Sequence, residues 1–522
     1  MRQWIAIILL CVGLALPFIL RAALSTPETP AAASAERLVI ITANTQDIRR
    51  AFAQAFLKWY REKFGLDVVL DFRVPGGAND ISRQLDTTYR AARSADGTLP
   101  ANFHPDIDMV WGGGDYFFDV ELKRRDNVLE PMDIDPSLLQ AAFPQPTLAG
   151  VKLYDYQTSL GAKQRPTWVG LCLSSMGIIY NPDVYRSLGI SPPATWTDLA
   201  NEKLNGLIAL ADPSHSASVA LAYMMVVQSA MADAEGKFAV EHGVNAAKEK
   251  SKLMALPGYR EAIERGWEKG METLQRIAVN ARYFTAWGSQ VPNDVGGGDA
   301  AAGIGIDFYG RVYAEEVGEN RCQFVAPSGA TSTTPDPIGI LAGVRGKQYE
   351  LANRFVEFLL SREGQNLWIV RAGEAGGPME RSLRRLPIRR DAYADQNGWT
   401  DHVNPFEQAH GFNQRNDWMS LFADTRVVWT AAWIDCREEL RDAHAAIMDV
   451  KDASRRERLL ADLATLPISM GDVAKIAAER SRLQREAGSD LPGFAAKQEI
   501  ALAEKFRKHY RKVEKMAQNQ AI

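Results

Sequence analysis

The sequence predicts an α/β protein of two lobes joined by hinge strands, followed by a helical C-terminal extension. Three observations predict it. Strand, loop and helix alternate three times before residue 130, the pattern of a doubly wound domain. A distinct region then opens at Pro192-Pro193-Ala194-Thr195-Trp196 and closes at residues 297–313. Finally, apolar extended segments near 171 and 323 read as neighbouring hinge strands, by which the chain leaves one lobe, builds a second and returns. At 522 residues the chain exceeds one ordinary core, so more than one domain is expected. A formal net charge of −4 gives no global attraction to nucleic acid, and no nucleic-acid partner is expected.

At the N-terminus Arg2 precedes an apolar run from Trp4 to Leu20, and a Pro/Ala/Ser/Thr stretch follows Arg21. This reads as an export signal with Ala33-Ser34-Ala35 as an A-x-A cleavage site, or as a retained membrane anchor. The bulky Leu10 and the early position argue against Cys11 as a lipidation site. Cys172, Cys322 and Cys436 are too few and too odd for a disulfide framework, although Cys172 and Cys322 would be neighbours if the hinge strands pair. No CxxC or HExxH spacing marks a zinc site.

Residues 37–42 are a continuous apolar run suited to a buried parallel strand. Asn44 and Thr45 are positioned to cap the next helix, where Ile48, Phe52, Phe56, Trp59 and Phe64 recur at near-helical spacing up to Gly65. A second strand, Val68–Val74, breaks at Pro75-Gly76-Gly77 and enters a helix with Asn79 as its expected cap. A third, Ile107–Trp111, ends in Gly112-Gly113-Gly114. Three such loops in register build one cleft edge, and glycines there let backbone N–H groups approach a ligand.

Residues 167–181 read as two extended runs separated by Ser174-Ser175. Beyond them Ser214, Ser216 and Ser218 lie between an apolar strand and a helix, as an anion-binding helix start or as a serine N-cap with idle neighbours. Residues 235–282 are charged and helical in pattern, the expected solvated outside of the second lobe. In 297–313 small residues lead through Ile304 and Ile306 to Asp307, Phe308 and Tyr309 at a strand's C-terminal edge, where open α/β sheets hold ligands. The expected boundaries are 1–35 for the signal or anchor, 36–172 with 323–450 for lobe 1, 173–322 for lobe 2, and 451–522 for the extension. In the extension Leu459, Leu463, Phe506, Tyr510 and Val513 fall at helical spacing without a sustained heptad.

Three stretches carry a family resemblance: ATWTDLANEKLNGLIALADPSHSAS (194–218), GGGDAAAGIGIDFYG (296–310) and PDPIGILAGVRGKQYELANRFVEFLLSREGQNLW (335–368). The chain resembles the solute-binding proteins of ABC transporters, in the branch related to ferric-iron-binding proteins. The resemblance implies a type II periplasmic-binding fold, a monomer held in the periplasm that passes a solute to an ABC permease in the inner membrane. Carried over residue by residue, it places ligand contacts at Asn44, Thr45, Gly112, Gly113, Gly114, Ser214, Ser216, Ser289, Asp307, Tyr309 and Asp336. The paired tyrosines of ferric-binding members fall on Phe308 and Tyr309, so one phenol is missing. That departure favours a phosphorylated or carboxylated anion over ferric iron, for which Tyr309 and Asp307 would be the ligands; no resident cofactor is implied.

Two readings from other classes remain. A serine hydrolase would pair Ser216 or Ser174 with His215, but neither serine stands in a G-x-S-x-G elbow. A sensory binding protein would present its closed form to a membrane receptor, with the C-terminal extension as its distinguishing feature.

Overall fold

A computed structural model of the chain describes residues 36–94, 96–125, 127–157, 159–160, 163–246, 248–407, 416–486 and 491–518. The expected signal or anchor at 1–35 lies outside the described residues. In lobe 1, β1 (Glu36–Thr42) pairs in parallel with β2 (Val68–Arg73) and β3 (Met109–Trp111). Helix α1 (Gln46–Phe64) buries Ile48, Phe52 and Phe56 and ends at Gly65, whose φ of 70° is the left-handed turn that frees a helix terminus. Helix α2 (Ala78–Ala92) starts two residues earlier than expected. Its N-cap is Gly77, whose N–H is taken by the Asp80 carboxylate at 2.9 Å, and Asn79 lies inside the first turn.

The expected break at Ser174-Ser175 is absent, and β4 (Val169–Tyr180) runs unbroken for 12 residues. Both hydroxyls bond sideways instead of turning the chain: Ser174 Oγ accepts from Arg385, and Ser175 Oγ lies 3.0 Å from Thr333 Oγ1. In lobe 2, β5 (Ile208–Ala211) lies in parallel between β6 (Ala281–Thr285) and β7 (Ala302–Ile306). Strand β7 pairs antiparallel with the second half of β4, from Tyr180 to Met176, and β8 (Gln323–Val325) joins that same half. The second crossing therefore runs later than 323: it is β9 (Thr333–Leu341), which pairs with the first half of β4 from Ser175 to Val169. The sheet order β6-β5-β7-β4-β9-β3-β1-β2 puts these two hinge strands at its centre and one lobe on either side.

Cys172 lies in the lobe 1 half of β4, opposite Asp336, whereas Cys322 precedes β8 with Sγ 3.6 Å from the Gly310 carbonyl. The two are buried free thiols, so strand neighbourhood does not join them.

Helix α3 (Ala217–Glu241) is, among the described residues, the one helix long and apolar enough to cross a membrane, but it is a core helix here, buried continuously from Val219 to Gln228. Against it lies α4 (Tyr259–Val279), where Gly270 lets the backbones meet: a methyl there would sit 2.5 Å from Val227 Cα. The charged 235–282 segment is thus not simply the solvated outside, since α4 buries Ile263, Trp267, Met271, Leu274 and Ile277. Helices α5 (Val291–Gly297) and α6 (Asp307–Val317) complete lobe 2. The chain then returns through α7 (Gly346–Leu360) and α8 (Arg362–Ile369), whose Trp368 packs 4.4 Å from the Phe52 ring. The short β10 (Leu386–Pro387) adds to the first half of β4.

The longer helices that follow among the described residues are α9 (Phe422–Trp429), α10 (Arg437–Met448), α11 (Ala453–Ala464), α12 (Met470–Arg485) and α13 (Leu491–Gln518). They pack on lobe 2. Trp429 and Trp433 each set their rings edge-on to Tyr223 of α3 at 5.6 Å, Trp433 Nε1 donates to Gln275 of α4 at 2.7 Å, and Gln275 Nε2 donates to Tyr510 of α13 at 2.8 Å. Residues 422–448, expected with lobe 1, therefore belong with the C-terminal helices.

Candidate ligand-binding cleft

Apolar strands bring their polar C-terminal loops to one edge of the sheet, and the two halves of that edge face each other across a cleft of about 540 Å³. Asn44, Thr45, Gly112, Gly113, Gly114, Ser216, Ser289, Tyr309 and Asp336 all line it. The glycine run is required by geometry: φ is 88°, 114° and 86° at Gly112, Gly113 and Gly114, and a methyl on Gly113 would sit 2.7 Å from the Phe117 ring.

Asp336 locks the floor. Its Oδ1 accepts the Gly113 N–H at 3.0 Å, and its Oδ2 accepts Arg385 Nη1 at 2.7 Å. Arg385 Nη2 donates to Ser174 Oγ at 3.2 Å, and the guanidinium lies 4.4 Å from the centre of the Phe308 ring. Tyr309 beside it is partly buried, and burial raises its phenol pKa, with Arg385 acting the other way. Asp307 is not a lining residue. It is buried at the first turn of α6, where its Oδ1 accepts the Phe308 N–H at 2.8 Å and its Oδ2 lies 3.8 Å from Arg311. Burial raises its carboxyl pKa against the pull of Arg311 and of the Ser175 N–H.

Ser214 is a brace for its loop and is not among the lining residues. Its N–H and Oγ both donate to Asp212 Oδ1, at 2.7 and 2.6 Å, and its carbonyl accepts Asn79 Nδ2 from lobe 1 at 2.6 Å. The hydrolase pairing does not form. His215 Nδ1 lies 3.0 Å from Ser214 Oγ and 3.3 Å from Asp212, so one ring nitrogen meets both groups where a relay needs two. Ser216 Oγ instead lies 3.4 Å from Ser218 Oγ, and Ser174 is held by Arg385.

Sequence reasoning missed Arg49, Arg385 and Trp287, which also line the cleft. Arg49 is in the first turn of α1, where a cation opposes the helix dipole, and that misfit was the available signal. Arg385 sits in the run Arg381-Ser-Leu-Arg-Arg-Leu-Pro387, which reads as a solvated basic loop. Three cleft-lining residues carry a buried nitrogen with no hydrogen-bond partner among the described residues: Asn44 Nδ2, Arg49 Nε and Arg385 Nε.

Comparison with curated proteins finds no match. Among solved structures, the periplasmic binding protein P5PA is similar at 18% identity and a TM-score of 0.48, covering 73% of this chain and 92% of that one. The periplasmic binding protein AfuA from Actinobacillus pleuropneumoniae, with exogenous fructose-6-phosphate bound, aligns at 19% identity and a TM-score of 0.47, covering 75% and 98%. Iron-bound HitA from Pseudomonas aeruginosa aligns at 16% and 0.44, covering 74% and 99%. The family model for the bacterial extracellular solute-binding protein matches residues 113–375, just over half of the chain, from the glycine loop of lobe 1 through all of lobe 2 and back past the hinge, and the chain belongs to that family of bacterial extracellular solute-binding proteins.

Proposed function

We propose that this protein captures a small organic anion, phosphorylated or carboxylated, between its lobes on the outer side of the inner membrane and delivers it, without turnover, to an ABC permease. The carrying observation is the set of unpartnered buried donors at Asn44, Arg49 and Arg385, two of them on guanidinium groups. A buried donor without an acceptor costs about 1–3 kcal/mol, and a ligand rich in acceptor oxygens recovers that at each position. Free N–H groups at the start of α1 and at the Ser216 N-cap of α3 add the same polarity from both lobes.

The same groups weigh against ferric iron as the cargo. Fe³⁺ favours anionic oxygen, yet burial disfavours the Tyr309 phenolate. The position of a second tyrosine holds Phe308, stacked beneath Arg385. Arg385 is balanced by Asp336, and Arg49 leaves the cleft lining with a net positive charge that repels a bare cation.

Thermal unfolding of ligand-stripped protein tests this against inorganic phosphate, sugar phosphates, phosphonates, carboxylates and ferric citrate. A native-state ligand at a hundredfold excess over its dissociation constant stabilises by about 2.7 kcal/mol, and that shift is expected with an organic anion. Arg49→Met should weaken binding of that anion by about tenfold to a hundredfold, the worth of a charge-assisted hydrogen bond. A shift confined to ferric citrate would overturn the anion reading.

A further inference from the structure

The cleft is graded from floor to mouth. Its floor lies at the central strands, where Ser174 and Met176 of β4, Asp336 of β9 and Arg385 meet. Its outer end is formed by the loops after β2 and β6, the two edge strands of the sheet. Those outer loops are apolar where the floor is charged: Val74 and Pro75 come from lobe 1 and Trp287 from lobe 2. Val74 is 47% exposed and Trp287 51% exposed, a large indole left open to solvent inside a concave site.

Trp287 is presented by a rigid turn. Its carbonyl accepts both Thr285 Oγ1 at 2.9 Å and the Gln290 N–H at 3.1 Å. The ring spans the cleft mouth to the opposite lobe, where a methyl placed on Gly77 would meet it at 4.0 Å. A cleft of about 540 Å³ falls in the range that encloses organic ligands of about 300–1,000 Å³, far more than an inorganic oxyanion fills. The charged end of a ligand is matched at the floor, and what extends outward meets an aromatic face.

Building on the anion reading, we propose that the solute is an organic anion with a ring-shaped body, its charged group held near the hinge by Arg49 and Arg385 and one ring face covered by the Trp287 indole. Trp287 is then the residue that selects ring over chain. A flat C–H face of a sugar and an aromatic ring share the chemistry an indole recognises, contact area with a polarised π face.

The test is isothermal titration of the wild type, Trp287→Ala and Trp287→Phe with inorganic phosphate, glycerol 3-phosphate, glucose 6-phosphate and phenyl phosphate. These four hold the anionic group nearly constant and vary the body from none, to acyclic, to sugar ring, to aromatic ring. The wild type should bind one of the two ring compounds about tenfold more tightly than glycerol 3-phosphate, and which ring wins separates the two sources of that face. Trp287→Ala should bring the ratio close to one, and Trp287→Phe should keep most of it. If Trp287 served only to close the lobes, Trp287→Ala would weaken all four ligands by one factor and leave the ratio untouched; that result, or a wild-type ratio near one, overturns the inference while leaving the anion reading standing. If none of the four binds the wild type, the phosphorylated form of the anion reading falls and this inference with it, while the thermal shifts with carboxylates decide the rest of that reading.

Discussion

Asp115 directly follows the glycine loop, and its Oδ1 is buried with no hydrogen-bond partner among the described residues. Burial lifts its carboxyl pKa to about 7; the N–H groups of Asp115 and Tyr116 and the Lys152 ammonium oppose this, and Asp119 adds to it. The ordinary value is 3.8, so between pH 3.8 and about 7 the folded chain holds a proton that the unfolded chain has lost. Stability from this group is complete below 3.8 and is lost as pH rises towards 7. In melts over that range Asp115→Asn, neutral and of the same shape, should remove a slope approaching about 1.4 kcal/mol per pH unit. A difference between wild type and variant that does not change with pH would show that another group titrates. At this scale, residues next to a strand end were legible: Asn44, Thr45 and Gly112 to Gly114 follow apolar runs, and the sheet carries them to its edge. Arg385 was not, because only the fold brings a residue 49 positions beyond Asp336 back against it.

Helix α4 shows how an element can hide its surroundings. Its charged residues fill one face, and the sequence gives no sign that the other meets both α3 and the C-terminal helices. Two glycines of this helix pair, Gly236 and Gly270, separate packing from propensity. Gly236 in α3 has no atom within 4 Å of an added methyl, so Gly236→Ala should stabilise by about 0.5–1 kcal/mol, the helix preference of alanine over glycine. Gly270 in α4 faces Val227 Cα at 2.5 Å and the Val227 carbonyl at 3.1 Å, both backbone atoms that cannot swing aside. There the same substitution should destabilise by about 1–3 kcal/mol through overpacking. Denaturant melts of the two variants should therefore move in opposite directions. Movement in the same direction would mean that α3 and α4 are not in close backbone contact.

Across the whole molecule the second lobe carries the C-terminal helices with it, and these helices reach back to the first. Helix periodicity in residues 451–522 was legible, but which lobe the C-terminal helices cover depends on Trp429, Trp433 and Tyr510 finding Tyr223 and Gln275, contacts no local pattern encodes. At the cleft, Arg426 Nε donates to the Pro213 carbonyl at 3.2 Å, beside the serine loop, and Phe422 sets its ring edge-on to Tyr116 of lobe 1 at 4.8 Å. Asn79 to the Ser214 carbonyl is a second bridge between lobes. Arg381 is a third, paired with both Asp47 and Glu316. Opening by hinge bending must break these contacts, so each biases the ligand-free chain towards closure. An aromatic pair is worth about 0.5–1.5 kcal/mol beyond its buried area, so Phe422→Ala should raise the open-to-closed ratio by about two- to tenfold. In small-angle scattering the ligand-free variant should have a larger radius of gyration than the wild type, while saturating ligand restores the same compact value in both. Apparent affinity should fall in proportion to the closed fraction lost. Equal radii without ligand would show that the Tyr116 and Phe422 rings meet without contributing to closure, and the bias would then rest on the other bridges, among them Asn79, Arg381 and the Arg384 donation to the Arg311 carbonyl.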